Sequence, residues 1–384
     1  MDDVLSMNRS NTVNVQAIVC VIWFLLCASE TLAQTTKPIA SLPSLPPSSL
    51  MGLDPSLIDR SVSPSSDFYS FANGLWIKRH TIPADRTEWG IFGEAEQRNL
   101  IVLHSILNDA ERGVPGDPNE AHCVHIVGAF YRSGMDTTAI DEEGDKPLAP
   151  ELDRIAAIDS VAQLMDEIAY QHRVGAVPAF SFFVGADDKN SSNQIPQLYQ
   201  SGIGLPDRDY YFRTDTDSRR IRSEYVEHVR RMFVLMGESQ DGAKRDSETV
   251  MRLETRLAAA SMTQDEQRDP SAIYHSMSLR QIDALTPGVD WYGYFKAIGL
   301  PNPNSPMYNV SQPKFFRELG RMISSRKAVS WSDWRTYLRW QLIDAAAPYL
   351  SRQFETEDFA FNDTILEGDA TMRPRWERVE SVID

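Results

Sequence analysis

The chain has 384 residues, 42% hydrophobic and 10% aromatic, which supplies apolar material for one large core or two smaller ones. Its formal net charge of −16 excludes non-specific nucleic-acid binding, which needs a cationic face; no arginine-rich or aromatic-plus-basic element offsets the acidity. Of its three cysteines, Cys20 and Cys27 fall in an apolar N-terminal run and only Cys123 lies in the body, so no internal disulfide is expected there.

Ala17 to Ala28 is an uncharged apolar run. It suits a signal-peptide core of about 7–15 residues and is short of the roughly 20 that span a membrane. Thr31-Leu32-Ala33 puts a small residue before Gln34, so residues 1–34 read as a signal peptide. Asp2 and Asp3 do not suit its basic end, and a start at Met7 leaves Arg9 as the one charge there. The expectation is export to a bacterial periplasm or cell envelope, or to the extracellular space, because disulfide-free export fits a bacterial envelope. The alternative is a membrane anchor through residues 13–28; otherwise no stable membrane span is expected after signal cleavage. Residues 35–53, rich in proline and serine, cannot bury a core and read as an extended linker. Sequons at Asn8, Asn190, Asn309 and Asn362 are expected by chance at this length.

Asp67 to Phe92 (DFYSFANGLWIKRHTIPADRTEWGIF) concentrates Phe68, Tyr69, Phe71, Trp76, Ile77, Trp89, Ile91 and Phe92 in one span. Burying each such side chain stabilises by roughly 1.5–3 kcal/mol, so the segment is expected to anchor a core. A helix follows over about 94–111, with Leu100, Leu103, Leu107 and Ala110 on one face. Gly113, Pro115, Gly116 and Pro118 end it, and a second helix is predicted over about 119–133. Ser160-x-x-Gln163 is a capping box for a third. Pro178–Val184 reads as a strand and Gln194–Ser201 as its partner, with a turn between them. Apolar stripes then predict helices over 217–236, 247–262 and 330–347, and Ser278-x-x-Gln281 is another capping box. The expected fold is mainly α: a large multi-helix domain over 54–384 with a small β-hairpin, plus an extended N-terminal segment.

The motifs resemble a known family. Asp67-Phe68-Tyr69, Phe71-Ala72-Asn73-Gly74 and Trp76, then Ile82-Pro83 and Asp85, then Gly90 and Phe92, resemble the opening motif of the neprilysin and endothelin-converting-enzyme family of zinc metallopeptidases. Phe130-Tyr131-Arg132-Ser133-Gly134-Met135-Asp136 is similar to another family element, with Gly134 where animal members usually place a cysteine. Gly144, Pro147 and Leu148, the run Gly204-Leu205-Pro206-Asp207-Arg208-Asp209-Tyr210-Tyr211, and the terminal Arg373-Pro374-Arg375-Trp376 continue the resemblance. It spans about Asp54 to Asp384 and covers only the family's N-terminal region.

The chemistry of such a peptidase is not in the chain. H-E-x-x-H would place two zinc-binding histidines on one helix face with a glutamate to activate water. None of the seven histidines is followed by glutamate. His122 and His125, at i and i+3, are the nearest imitation, but a catalytic zinc needs three protein ligands and a base, and a helix surface is the plain reading. No G-x-S-x-G, P-loop or G-x-G-x-x-G is present. No catalytic or metal-ligating residue is therefore assigned, and no cofactor is expected on this chain; the resemblance places the zinc in a catalytic domain outside it. The family's arginine that meets a peptide's terminal carboxylate aligns with Glu88, a charge reversal, with Arg86 two residues earlier as a substitute. These two are the candidate substrate-binding residues.

The resemblance implies the substrate-restricting N-terminal part of a zinc endopeptidase, inactive alone. Its implied partners are a catalytic metallopeptidase domain, missing or separately encoded, and peptides. Without that domain, Trp76, Trp89 and their neighbours should leave an apolar patch exposed. The sequence closes on Glu377–Asp384 without a helix stop signal, which reads as truncation. The alternative is an exported, non-catalytic peptide-binding or interaction module.

Overall fold

The computed structural model describes residues 54–113 and 121–383. The expected signal peptide, linker and extended N-terminal segment lie outside the described residues. The described residues divide into two compact units: a central one of Thr138–Phe361, and a split one made from the described residues up to Thr137 and from Asn362 onward. The fold is mainly α with one small sheet, as the sequence predicts.

In the split unit Asp67 starts the Phe68–Arg79 helix, its carboxylate accepting the Ser70 N–H at 2.9 Å and the Ser70 hydroxyl at 2.7 Å. The Ile91–Glu111 and Ala121–Met135 helices pack closely because Gly128 has no side chain: a Cβ there would lie 2.2 Å from the Ala110 carbonyl oxygen. The short Arg375–Glu380 helix returns onto both. Leu107, Tyr131 and Val379 form the core, flanked by Val127, Met135, Trp376 and Ile383. Gly134 has a structural task here, since a Cβ would sit 2.6 Å from a Val379 methyl.

The central unit is built on the Val161–Arg173, Thr216–Leu235, Gln240–Ala260, Pro313–Ser324 and Trp331–Ala346 helices. Caps fix most of their starts: Ser160, Asp215, Ser239 and Ser330 each accept a first-turn N–H. The capping box at Ser278 opens the Leu279–Leu285 helix as predicted. Phe180, Trp291, Tyr294, Phe316, Trp334 and Trp340 are among the large side chains fully buried in its core.

The sheet has the order β1-β2-β4-β3. β1 (Phe180–Asp187) and β2 (Asn190–Gln200) form the expected hairpin, with Phe180 opposite Gln200. β4 (Tyr308–Val310) runs parallel to β2, and β3 (Ser276–Met277) pairs antiparallel with β4. Asn309 locks this junction: its amide donates to Gln197 Oε1 at 2.9 Å and to the Ile273 carbonyl at 3.1 Å, while its oxygen accepts the His275 N–H at 2.7 Å.

Two expectations are corrected. The helix expected over 247–262 begins at Gln240, because Ser239 caps a polar first turn that carries no apolar stripe. The Asp67–Phe92 segment is not buried as a core anchor. Phe68 is 68% exposed and Phe92 88%, and Tyr69, Ile77, Ile82 and Ile91 are exposed too. Only Gly74 of the Phe68–Arg79 helix is buried, because its apolar residues are spread around the helix and make no single face.

Candidate functional site

The opening segment is held from behind. Trp76 stacks on His80 with ring centroids 4.6 Å apart, and both reach Glu94: the indole N–H donates at 3.2 Å and the imidazole Nε2 lies 3.1 Å away. Lys78 pairs with Asp59 at 2.6 Å. That lysine and two bonds from Ser61 hold the Asp59 carboxyl down at about 2. Trp76 and Trp89 are half-buried, so the segment's inner edge is fixed while Phe68, Tyr69, Ile91 and Phe92 stand in solvent.

Arg86 and Glu88 differ in setting. The Arg86 guanidinium is largely buried and donates to Glu377 Oε2 at 2.8 Å and to Gln97 Oε1 at 3.3 Å, with Asp85 at 3.3 Å. Gln97 also donates to Glu377, at 3.2 Å. Arg86 thus ties the opening segment to the returning Arg375–Glu380 helix. Glu88 is exposed.

The Gly204–Tyr211 run is a brace. A Cβ at Gly204 would lie 2.0 Å from the Tyr225 hydroxyl, so glycine is required there. Asp207 caps the Arg208–Tyr211 turn, and the Arg208 Nε donates to the Ala258 carbonyl at 3.2 Å. Tyr211 donates to Glu254 Oε2 at 2.8 Å and Tyr225 to Oε1 at 2.9 Å, while the Trp340 indole donates to the Tyr225 hydroxyl at 2.9 Å. Glu254 is completely buried, and burial pushes its carboxyl up to about 8 despite these donors. Sequence reasoning missed it, although it interrupts the Val250, Leu253, Leu257 stripe on the same face.

Among the described residues, one group of carboxylates comes close enough together to hold a cation. Asp363, Glu367 and Asp369 have carboxylate oxygens within 4.8 Å of one another. Burial, then the Glu367 and Asp369 charges, raises the Asp363 carboxyl. This all-oxygen set suits hard cations and lacks the nitrogen or sulfur ligands of a catalytic zinc. Among the described residues the histidines do not converge. His104 meets Tyr131, His172 meets Tyr294 and the Pro178 carbonyl, and His228 meets Glu357, while His122 and His125 are exposed on one helix. Burial pushes His172 down to about 4, which keeps it neutral. The described residues do not fit a peptidase zinc. No helix among the described residues is long and apolar enough to cross a membrane.

The chain is similar to known proteins along most of its length. A family model described as peptidase family M13, for its N-terminal region, matches residues 64–384. Endothelin-converting enzyme 1 of Rattus norvegicus is 27% identical over 331 residues, covering 83% of this chain and 42% of that protein. Neprilysin-3 of Drosophila melanogaster is 26% identical over 315 residues, covering 77% and 39%. The crystal structure of Mycobacterium tuberculosis zinc metalloprotease Zmp1 with an inhibitor superposes with a TM-score of 0.78 at 29% identity, covering 86% of this chain and 49% of that one. The chain thus spans about two-fifths of the length of the curated relatives it matches. By the extent of the family match, and by the motifs that build the opening segment and the Gly204–Tyr211 brace, the chain belongs to peptidase family M13, neprilysin-like metallopeptidases, through the family's N-terminal region.

Proposed function

We propose that this chain is the substrate-restricting, non-catalytic N-terminal part of an M13 zinc endopeptidase, and that it works with a zinc-bearing catalytic region outside these 384 residues. The observation that carries the reading is the exposed apolar side chains of the opening segment: Phe68 and Tyr69 on the Phe68–Arg79 helix, which has one buried residue, and Ile91 and Phe92 at the start of the Ile91–Glu111 helix. Large apolar side chains left in solvent within one short segment mark an interaction site. Its counterpart in this reading is the catalytic region. The sequence supports the inactive half of the proposal, since it has no H-E-x-x-H. The zinc belongs to that counterpart, and this chain binds none. Export to the periplasm or extracellular space belongs to the same proposal.

Arg86 and Glu88 remain the substrate-side pair. Glu88 offers a carboxylate where the resemblance calls for a cation, and Arg86 is already committed to Glu377. Recognition of a peptide's terminal carboxylate at this place is therefore not part of the proposal.

The test uses the purified full chain. After dialysis it should hold no stoichiometric zinc and should not cleave a quenched fluorescent peptide. It should also bind an apolar dye, and Phe68→Ser with Phe92→Ser should weaken that binding severalfold. One zinc per chain, or cleavage abolished by a chelator, would overturn the inactive assignment. Dye binding unchanged by the two substitutions would remove the opening segment as the docking surface.

A further inference from the structure

We propose that a cleft in the central unit is a binding site for a carboxylate carried on an aliphatic body, a site independent of the opening segment. The cleft is open to solvent and has a volume of about 750 Å³ between the C-terminal half of the Thr216–Leu235 helix and the start of the Arg352–Phe359 helix. Small-ligand sites have volumes of about 300–1,000 Å³.

The lining carries three guanidinium groups, Arg230, Arg231 and Arg352, against two carboxylates, Asp141 and Glu357. Two of the arginines are already matched. Arg230 donates from Nε to Glu227 at 2.8 Å, and Arg231 donates from Nε to Glu357 at 2.7 Å. Both lining carboxylates are also engaged: Glu357 accepts from Arg231 and meets His228 Nδ1 at 3.0 Å, and Asp141 accepts the Arg352 backbone N–H at 2.7 Å. Among the described residues the Arg352 guanidinium makes no ion pair. It is a permanently charged planar fork suited to bidentate carboxylate binding.

The wall beside these charges defines the rest of the ligand. Val234 and Leu235 supply a half-buried apolar wall, which suits an aliphatic chain next to the charged end. No aromatic ring lines the cleft to stack a nucleobase, and its serine and threonine have no histidine beside them, so the site binds without turning its ligand over. The carboxylate belongs either to an acidic residue of a peptide or to a free aliphatic acid.

The experiment titrates the full chain with two matched pairs, followed by calorimetry or by ligand-observed NMR. One pair is hexanoate and hexanamide. The other is acetyl-Leu-Glu-Leu-amide and its glutamine counterpart. In at least one pair the acid should bind about tenfold or more tightly than its neutral partner, as expected for a charge-assisted hydrogen-bond pair. The pair that discriminates identifies the source. Arg352→Gln, an exposed position, should abolish the discrimination. Thr356→Trp, which fills the cleft without removing a charge, should abolish it as well and serves if the arginine variant misfolds. Equal binding of acid and amide in both pairs, or discrimination that survives either substitution in a folded variant, overturns the proposal.

Discussion

Glu254 makes a quantitative claim about how stability depends on pH. Its carboxyl is completely buried, with no basic side chain among the groups that bond to it, and burial sets its folded value at about 8 against an ordinary 4.5. The folded state therefore binds a proton that the unfolded state releases above pH 4.5. Stability from this group is fully present below 4.5 and is lost as pH rises through 8. A gap of that size corresponds to about 5 kcal/mol at its upper limit, at about 1.4 kcal/mol per pH unit. Asp344, raised to about 7 by burial and then by Asp358, loses stability in an overlapping window, so the parent's total slope is not the measure of Glu254. The measure is the difference from Glu254→Gln, which keeps the shape and cannot titrate. Urea unfolding of both proteins at pH 5, 6, 7 and 8 should show the variant weaker at pH 5, where one of the two tyrosine donors loses its acceptor. The difference should shrink, or reverse, by a few kcal/mol at pH 8. Curves that stay parallel within about 0.5 kcal/mol over this range refute the assignment of a protonated Glu254.

Other substitutions probe the split unit. Gly128→Ala should force the Ile91–Glu111 and Ala121–Met135 helices apart, since the added methyl meets the Ala110 carbonyl at 2.2 Å; a loss of about 2 kcal/mol or more is expected in chemical denaturation. Arg86→Gln leaves Glu377 buried without its cation and should cost about 3 kcal/mol, with the Arg86→Gln/Glu377→Gln double variant recovering part of it; equal loss in both would show that the pair is not coupled. Asp67→Ala removes the cap of the Phe68–Arg79 helix and should cost about 1 kcal/mol, read as faster amide exchange across residues 68–72 than elsewhere. Exchange unchanged there would mean that the cap does not hold that first turn.

What could be read from the residues follows the physics of each element. Helices with a capping serine and a period of 3.6, such as Val161–Arg173 and Trp331–Ala346, are visible because local chemistry and burial agree. β3 and β4 are invisible because two and three residues cannot show an alternation, and their pairing is set by Asn309 and by the chain a hundred residues away. The opening segment was legible as apolar and was misread as buried, because composition reports the amount of apolar surface and not where its counterpart lies. The Arg352 cleft leaves no mark in sequence: Arg352 lies more than a hundred positions from Arg230 and Arg231, and only packing brings them to one cleft.

The order in which the chain emerges during synthesis adds a constraint. The described residues up to Thr137 are made before the central unit, yet the helix that closes their core, Arg375–Glu380, is made after it. Leu107 and Tyr131 must therefore wait through the whole translation of the central unit before Val379 arrives to cover them. Tying ends across so long an interval carries an entropy penalty that grows only slowly with length, so the delay is one of time more than of free energy. During it the nascent chain offers an incomplete apolar core to any holdase within reach, whereas the central unit can fold as soon as it clears the ribosome.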